Sequence, residues 1–346
     1  MTITVYFATN RDQQGPAKSP VFGGGFHEKG PHYLRFGWAE VRAPAAPDGD
    51  FELLKVRLAP EYIPAADEPK SKQVLGSRTV FDELRTDMKD EATDLIVFIH
   101  GFSCDFETSL LRAAQIAHNY GTDERPMKVV VFSWPADGTM IPLLSYYSDR
   151  DDAKMSGIAL SRLFLKALDY FRDIGPKKFC WRQIHLVAHS MGNYVLRQAV
   201  QAVIKERGGA SLPRVFENIF MMAADEDNDT FELDHKLSRL PEMGAAVHVY
   251  YSATDRALTI SDVTKGNPDR LGSTGPRTLT SLPHKITLID CRTVDETALA
   301  DANHQYYRKR IEVYEDVRAV LAGQLPDQIA NREYIAEKLS YRIREN

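Results

Sequence analysis

IHLVAHSMGNYVLRQAV, residues 184–200, is the stretch on which the reading of this chain turns. Ile184–Ala188 is a short apolar run of strand length. Gly192–Lys205 carries Val195, Leu196, Ala199, Val200, Val203 and Ile204 at helical spacing. Between them stands Ala188-His189-Ser190-Met191-Gly192, a G-x-S-x-G elbow with Ala in the first position. A serine that is to attack must project from the end of a strand on a tight, strained turn. Small residues at 188 and 192 let strand, turn and helix approach closely. The helix that follows aims its opening N–H groups and the positive end of its dipole at the same spot. The competing reading makes Ser190 only a helix cap; the strand before it and the helix after it favour the elbow.

The pattern extends outward in both directions. Leu95–Ile99 (LIVFI), Val129–Phe132, Asn218–Ala223, Ala246–Tyr251 and Lys285–Asp290 read as strands, the apolar runs suiting strands buried on both faces. Ser109–Tyr120, Ile158–Phe171 and Ala302–Ala322 read as helices, the last closed by Gly323 and Pro326. Alternation of this kind predicts an α/β fold: a mostly parallel sheet with helices on both faces and right-handed crossovers. Ligand sites in such sheets lie beyond the carboxyl ends of the strands. The loops of interest are therefore 100–104, 134–138, 189–192, 225–229, 255–258 and 290–304.

Three regions are expected: a β-rich extension packed on the main domain (1–90), the α/β domain (91–325) and a tail (326–346). Thr4–Ala8, Tyr33–Val41 and Phe51–Leu58 are the extension's strands, Gly23-Gly24-Gly25 is read as a flexible turn, and Pro60–Leu75 as irregular. The tail reads as a solvated helix with Ile335, Leu339 and Ile343 on one side, docking on the main domain or joining a homodimer. With 43 basic and 48 acidic residues the formal charge is −5, which argues against a binder of nucleic-acid backbones. Three cysteines, Cys104, Cys180 and Cys291, are too few and scattered for a disulfide framework or a closed zinc site. No membrane span and no secretory signal is visible, so a cytoplasmic location is the expectation.

A second element of chemistry is Phe98-Ile99-His100-Gly101-Phe102, at the end of an earlier strand. Acyl transfer develops a negative oxygen that needs two preorganised N–H donors. Met191, following the nucleophile, supplies one, and Phe102 in this loop the other. The bland alternative is that Gly101 merely turns the chain.

Taken together, VYFATNR (5–11), HGF (100–102), FSWPADG (132–138), AHSMGN (188–193), YYSATDRAL (250–258) and the late His304 resemble the bacterial α/β hydrolases grouped as domain of unknown function 900. The resemblance covers roughly residues 90–325. It implies the α/β-hydrolase fold and a cofactor-independent serine hydrolase, without a substrate. In that fold the triad follows the order serine, acid, histidine. Asp255 and His304 stand where it needs them, with Ser190 as nucleophile, His304 as base and Asp255 as its orienter. Asp225 and Asp227, after the preceding strand, are rival acids. Asp290 reads as structural. His100 is read as contacting its own turn and His185 as packed. His284 lies at the wrong end of its strand.

The expected substrate is a small or lipid-like molecule with an ester, thioester or related acyl bond. His189, Trp134, Tyr146 and Tyr147 are the expected substrate-binding residues. The apolar stretch 136–154 is a candidate acyl wall or small lid, or else a cover for the sheet edge. Residues 225–244 are too few for a large cap domain. No cofactor or metal is implied. A second reading is a non-catalytic scaffold of the same fold that binds a partner.

Overall fold

The apolar runs at 95–99, 129–132 and 219–222 form strands buried along their length. The computed structural model describes residues 1–46, 49–65, 67–136, 142–258, 269–294 and 302–344, the side chains of 142–147 excepted. The chain divides into two compact units, 1–98 with 103–118 and 122–183, and 99–102 with 119–121 and 184–346.

The first unit is built from β1 (Thr2–Thr9), β2 (Arg11–Gln13), β3 (Phe22–Phe26), β4 (Arg35–Arg42), β5 (Glu52–Leu58), α1 (Gly76–Asp90), β6 (Asp94–Ile99), α2 (Phe106–Tyr120), β7 (Met127–Ser133) and α3 (Pro142–Ile174). β6 and α2 begin here and end in the second unit. The strand order is β6-β7-β1-β4-β5. β6 is buried at every position, as a parallel strand covered on both sides must be. β1 pairs parallel with β7, Val5 opposite Val129, and antiparallel with β4, Thr2 opposite Arg42. The N-terminal strands thus join the same sheet as β7. β5, the outer strand, exposes Glu52, Lys55 and Arg57 and carries a register shift, which discourages edge-to-edge pairing.

Two expectations are corrected in this unit. Gly23-Gly24-Gly25 is not a flexible turn: it lies within β3, paired with β2, and the Gly25 N–H donates to Asp12 at 2.9 Å. Phe22 anchors that strand through its ring contacts with Phe7 and Phe106, at 6.0 and 4.5 Å. α3 begins at Pro142 rather than 158; its mixed early sequence hides the helical period.

The second unit adds β8 (Ile184–His189), α4 (Gly192–Glu206), β9 (Phe216–Met222), β10 (Gly244–Tyr251), α5 (Leu271–Thr274), β11 (Ile286–Asp290), α6 (Tyr306–Lys309), α7 (Ile311–Leu321), β12 (Arg332–Ile335) and β13 (Ser340–Ile343). The order is β8-β9-β10-β11-β13-β12, parallel except where β12 meets β13. The helix expected over 302–322 is broken at Arg310, whose backbone is extended. The cause lies elsewhere in the chain. Tyr120 Oη and Asn119 Nδ2 donate to the carbonyls of Tyr307 and Arg308, each at 2.8 Å, and take acceptors that a continuous helix would use.

The expected helical tail is corrected as well: residues 332–343 form a hairpin, with Leu339 in the left-handed turn and Tyr334 against Tyr341. Its anchor is Arg332, which donates to Asp316 at 2.6 and 2.8 Å with both side chains buried. Asp316 also accepts from Tyr250 at 2.5 Å. Removing one member of a buried ion pair strands the other. Arg332→Ala is therefore expected to cost about 3–5 kcal/mol, read as a lower denaturation midpoint. Among the described residues no helix is long and apolar enough to cross a membrane.

Candidate active site

β8 delivers Ser190 at its end, and the backbone there is forced. Ser190 sits at φ 52°, a left-handed conformation that serine adopts only when its surroundings hold it. Its N–H donates to Met222 O at 2.9 Å, tying the turn to the end of β9. Its carbonyl accepts from the N–H groups of Asn193 and Asp225, at 3.0 and 3.1 Å. Buried Asn193 adds a side-chain clamp, Nδ2 donating to Ala188 O at 2.9 Å and Ser190 O at 3.2 Å. Sequence reasoning gave Asn193 no role; a polar residue in the first turn of a buried helix was the available signal.

The close approach behind the small residues is visible at Gly192. A Cβ placed there would stand 2.5 Å from Ile99 O and 2.6 Å from His100 O. Both are backbone atoms and cannot swing aside. Gly192→Ala should destabilise the fold by about 1–3 kcal/mol. It should also push the elbow off the 99–100 segment; chemical denaturation and the amide chemical shifts of residues 99–101 and 190, measured together, check both effects.

Gly101 lies equally close, its missing Cβ 2.8 Å from that of Ser190. The buried His100 ring packs beside it, with Nδ1 2.9 Å from Gly101 O. A carbonyl only accepts, so Nδ1 carries the proton. The peptide unit is planar and trans, so fixing the Gly101 carbonyl also fixes the opposite direction of the Phe102 N–H. Met191 stands at the start of α4, where N–H groups have no intrahelical carbonyl.

The acid and base loops meet. Asp255 is fully buried, and its Oδ2 lies 2.6 Å from Nδ1 of His304. Its Oδ1 accepts the Leu258 N–H at 3.2 Å. The carboxylate draws the proton to Nδ1 and leaves Nε2 as the basic nitrogen. Arg256 N–H donates to Ala302 O at 2.9 Å, and Asn303 Nδ2 donates to Thr254 Oγ1, so the two loops are stitched on either side of the pair. Ala302 and Asn303 stand at φ 51° and 55°, so strain precedes the histidine as it attends the serine.

The rival acids have other work. Asp227 accepts from Arg270 at 2.6 Å and from Lys236 at 2.9 Å, and Asp225 lies 3.4 Å from Arg270, which is wholly buried. Burial alone would raise the Asp227 carboxyl. The Lys236 hydrogen bond and the charges of Arg270, Lys236 and Arg197 outweigh that and hold it below the usual carboxylate range. His185 and His248 flank Asn218 in a buried chain; burial, with Arg332 and His185 adding to it, pushes His248 down to about 3. Asp290 pairs with Arg292 and Arg342.

The expected substrate-binding residues fare differently. Trp134 is fully buried and His189 is 2% exposed, its ring packed against those of His304 and Tyr307. Tyr146 and Tyr147 lie in α3, but their side chains, like residues 137–141, lie outside the described residues.

With this geometry in view, the family is defined. Residues 77–324 match the family model for α/β hydrolases of unknown function, DUF900, and the chain belongs to that family. Uncharacterized protein alr1448 of Nostoc sp. (strain PCC 7120) is 26% identical over 238 residues, covering 54% of this chain and 58% of the relative. The chain thus spans little more than half the length of that relative. The structure of a proposed cell surface hydrolase from Lactobacillus plantarum WCFS1 covers 68% of this chain and 95% of its own, at 12% identity and a TM-score of 0.35. That likeness is too slight to carry residues or activity across.

Proposed function

We propose that the protein is a serine hydrolase of the carboxylic-ester type, cleaving an ester, thioester or related acyl bond in a small or lipid-like substrate. The observation that carries this reading is the buried Asp255–His304 pair at 2.6 Å, on the loop sequence that follows a strained Ser190. Ser190 Oγ attacks the acyl carbon while His304 Nε2 takes its proton. The carbonyl oxygen becomes an oxyanion held by the N–H groups of Met191 and Phe102. Collapse of that intermediate breaks the bond to the leaving alcohol or thiol, which takes the proton from His304. Water, deprotonated by the same nitrogen, then releases the acid and restores Ser190. Asp255 keeps Nδ1 protonated and steadies the imidazolium. The free thiols of Cys104, Cys180 and Cys291 fit the cytoplasm, where cysteines stay reduced.

The test is p-nitrophenyl ester turnover over a range of acyl lengths, alongside labelling by a fluorophosphonate. Wild type should label on Ser190. Equal labelling of wild type and Ser190→Ala overturns the reading.

A further inference from the structure

We propose that His189, the residue before the nucleophile, is a positioning residue that locks the histidine-bearing loop against the elbow. The inference rests on the serine-hydrolase reading and deepens it. His189, one of the expected substrate-binding residues, is buried beside His304 and Tyr307.

Three contacts define that role. Nε2 lies 3.0 Å from the carbonyl oxygen of His304, and because that oxygen only accepts, Nε2 carries a proton and donates it. The ring stacks on Tyr307 at 4.2 Å and 25°, and sits 4.7 Å from the ring of His304. Its Nδ1 edge faces the oxyanion loop, 3.0 Å from where a Cβ on Gly101 would stand. One imidazole therefore touches the base residue and the 100–102 turn while its own peptide leads into Ser190.

The base loop needs such a hold. Residues 302 and 303 are both left-handed, so the local backbone does not favour the geometry that presents His304. Asn303 is tied to Thr254 on the acid side. His189 supplies the tie on the elbow side, by gripping the carbonyl of His304 itself. Fixing that carbonyl restrains the backbone from which the imidazole projects. A displacement of the base by a fraction of an ångström lowers the rate without weakening substrate binding.

The test compares His189→Phe, which keeps a flat ring against Tyr307 but has no donor, with His189→Gln, whose amide reaches the place of Nε2. Two readouts are taken. The first is the far-downfield proton resonance of His304 Nδ1–H on Asp255, which needs no turnover and should persist in Ser190→Ala. The second is kcat and KM for a p-nitrophenyl ester.

His189→Phe should shift or broaden the resonance and lower kcat by about tenfold or more, with KM within about twofold. His189→Gln should restore both. An unchanged resonance and kcat in His189→Phe overturn the proposal. So does a loss that His189→Gln fails to recover, because the donor would then not be the operative feature. If His189→Phe does not fold, His189→Asn, whose amide stops short of the carbonyl, takes its place against His189→Gln; equal values for those two overturn the proposal. A wild type that neither labels nor turns over esters sinks the hydrolase reading, while the resonance still decides whether His189 holds the His304–Asp255 pair.

Discussion

Ser190→Ala is expected to lower kcat for ester hydrolysis by about 10⁴-fold or more, with the melting temperature within a few degrees of wild type. The size follows from what the hydroxyl does in the proposed reaction. Without it no covalent intermediate forms, and His304 and the oxyanion donors can at best assist water directly. Residual rate from those groups alone is the reason that a finite loss is expected. Stability should change little because alanine keeps the Cβ. The left-handed backbone is held by Met222, Asp225 and Asn193 through main-chain atoms of residue 190, which the substitution leaves in place. Stopped-flow turnover and calorimetry on the same preparation separate the two effects. A variant that retains a tenth of the wild-type kcat would show that the serine is not the nucleophile.

The elbow was legible in the sequence because its determinants are local. An apolar run, a pair of small residues and an amphipathic helix within 184–206 each constrain the backbone next to them. The Asp255–His304 contact was legible only through chain order and the family resemblance, since nothing else near either residue in sequence announces a pair. The missed features are those decided from a distance. The break at Arg310 depends on side chains at 119 and 120. In the tail, Ile335, Leu339 and Ile343 recur every four residues, a spacing that reads as one face of a helix, yet Leu339 takes the left-handed turn between β12 and β13. Pairing with β11, Ile289 opposite Tyr341, settles the matter for the strand. The contact of His100 with its own turn follows from its place in the sequence, whereas the partners of His189 and Asn193 were hidden for a related reason. A polar residue's buried partner is chosen by tertiary contact, and composition shows only that a partner is needed.

The assignment of the acid yields the second large effect. Asp255→Asn should lower kcat by about 10⁴-fold. Asparagine fits the same space, but an amide nitrogen facing Nδ1 favours the tautomer with its proton on Nε2, and the base is then lost. Asp225→Asn and Asp227→Asn should behave differently. Each weakens the hold on buried Arg270 and should lower stability by up to about 3 kcal/mol, less than the loss of a sole partner because the other carboxylate remains. Their kcat should stay within about threefold, under 1 kcal/mol on the barrier. The three variants thus separate along two axes, rate for Asp255 and stability for the other two. If Asp225→Asn or Asp227→Asn matched the rate loss of Asp255→Asn while keeping its fold, the acid would have to be reassigned. The 2.6 Å contact would then be a structural tie holding the two loops together.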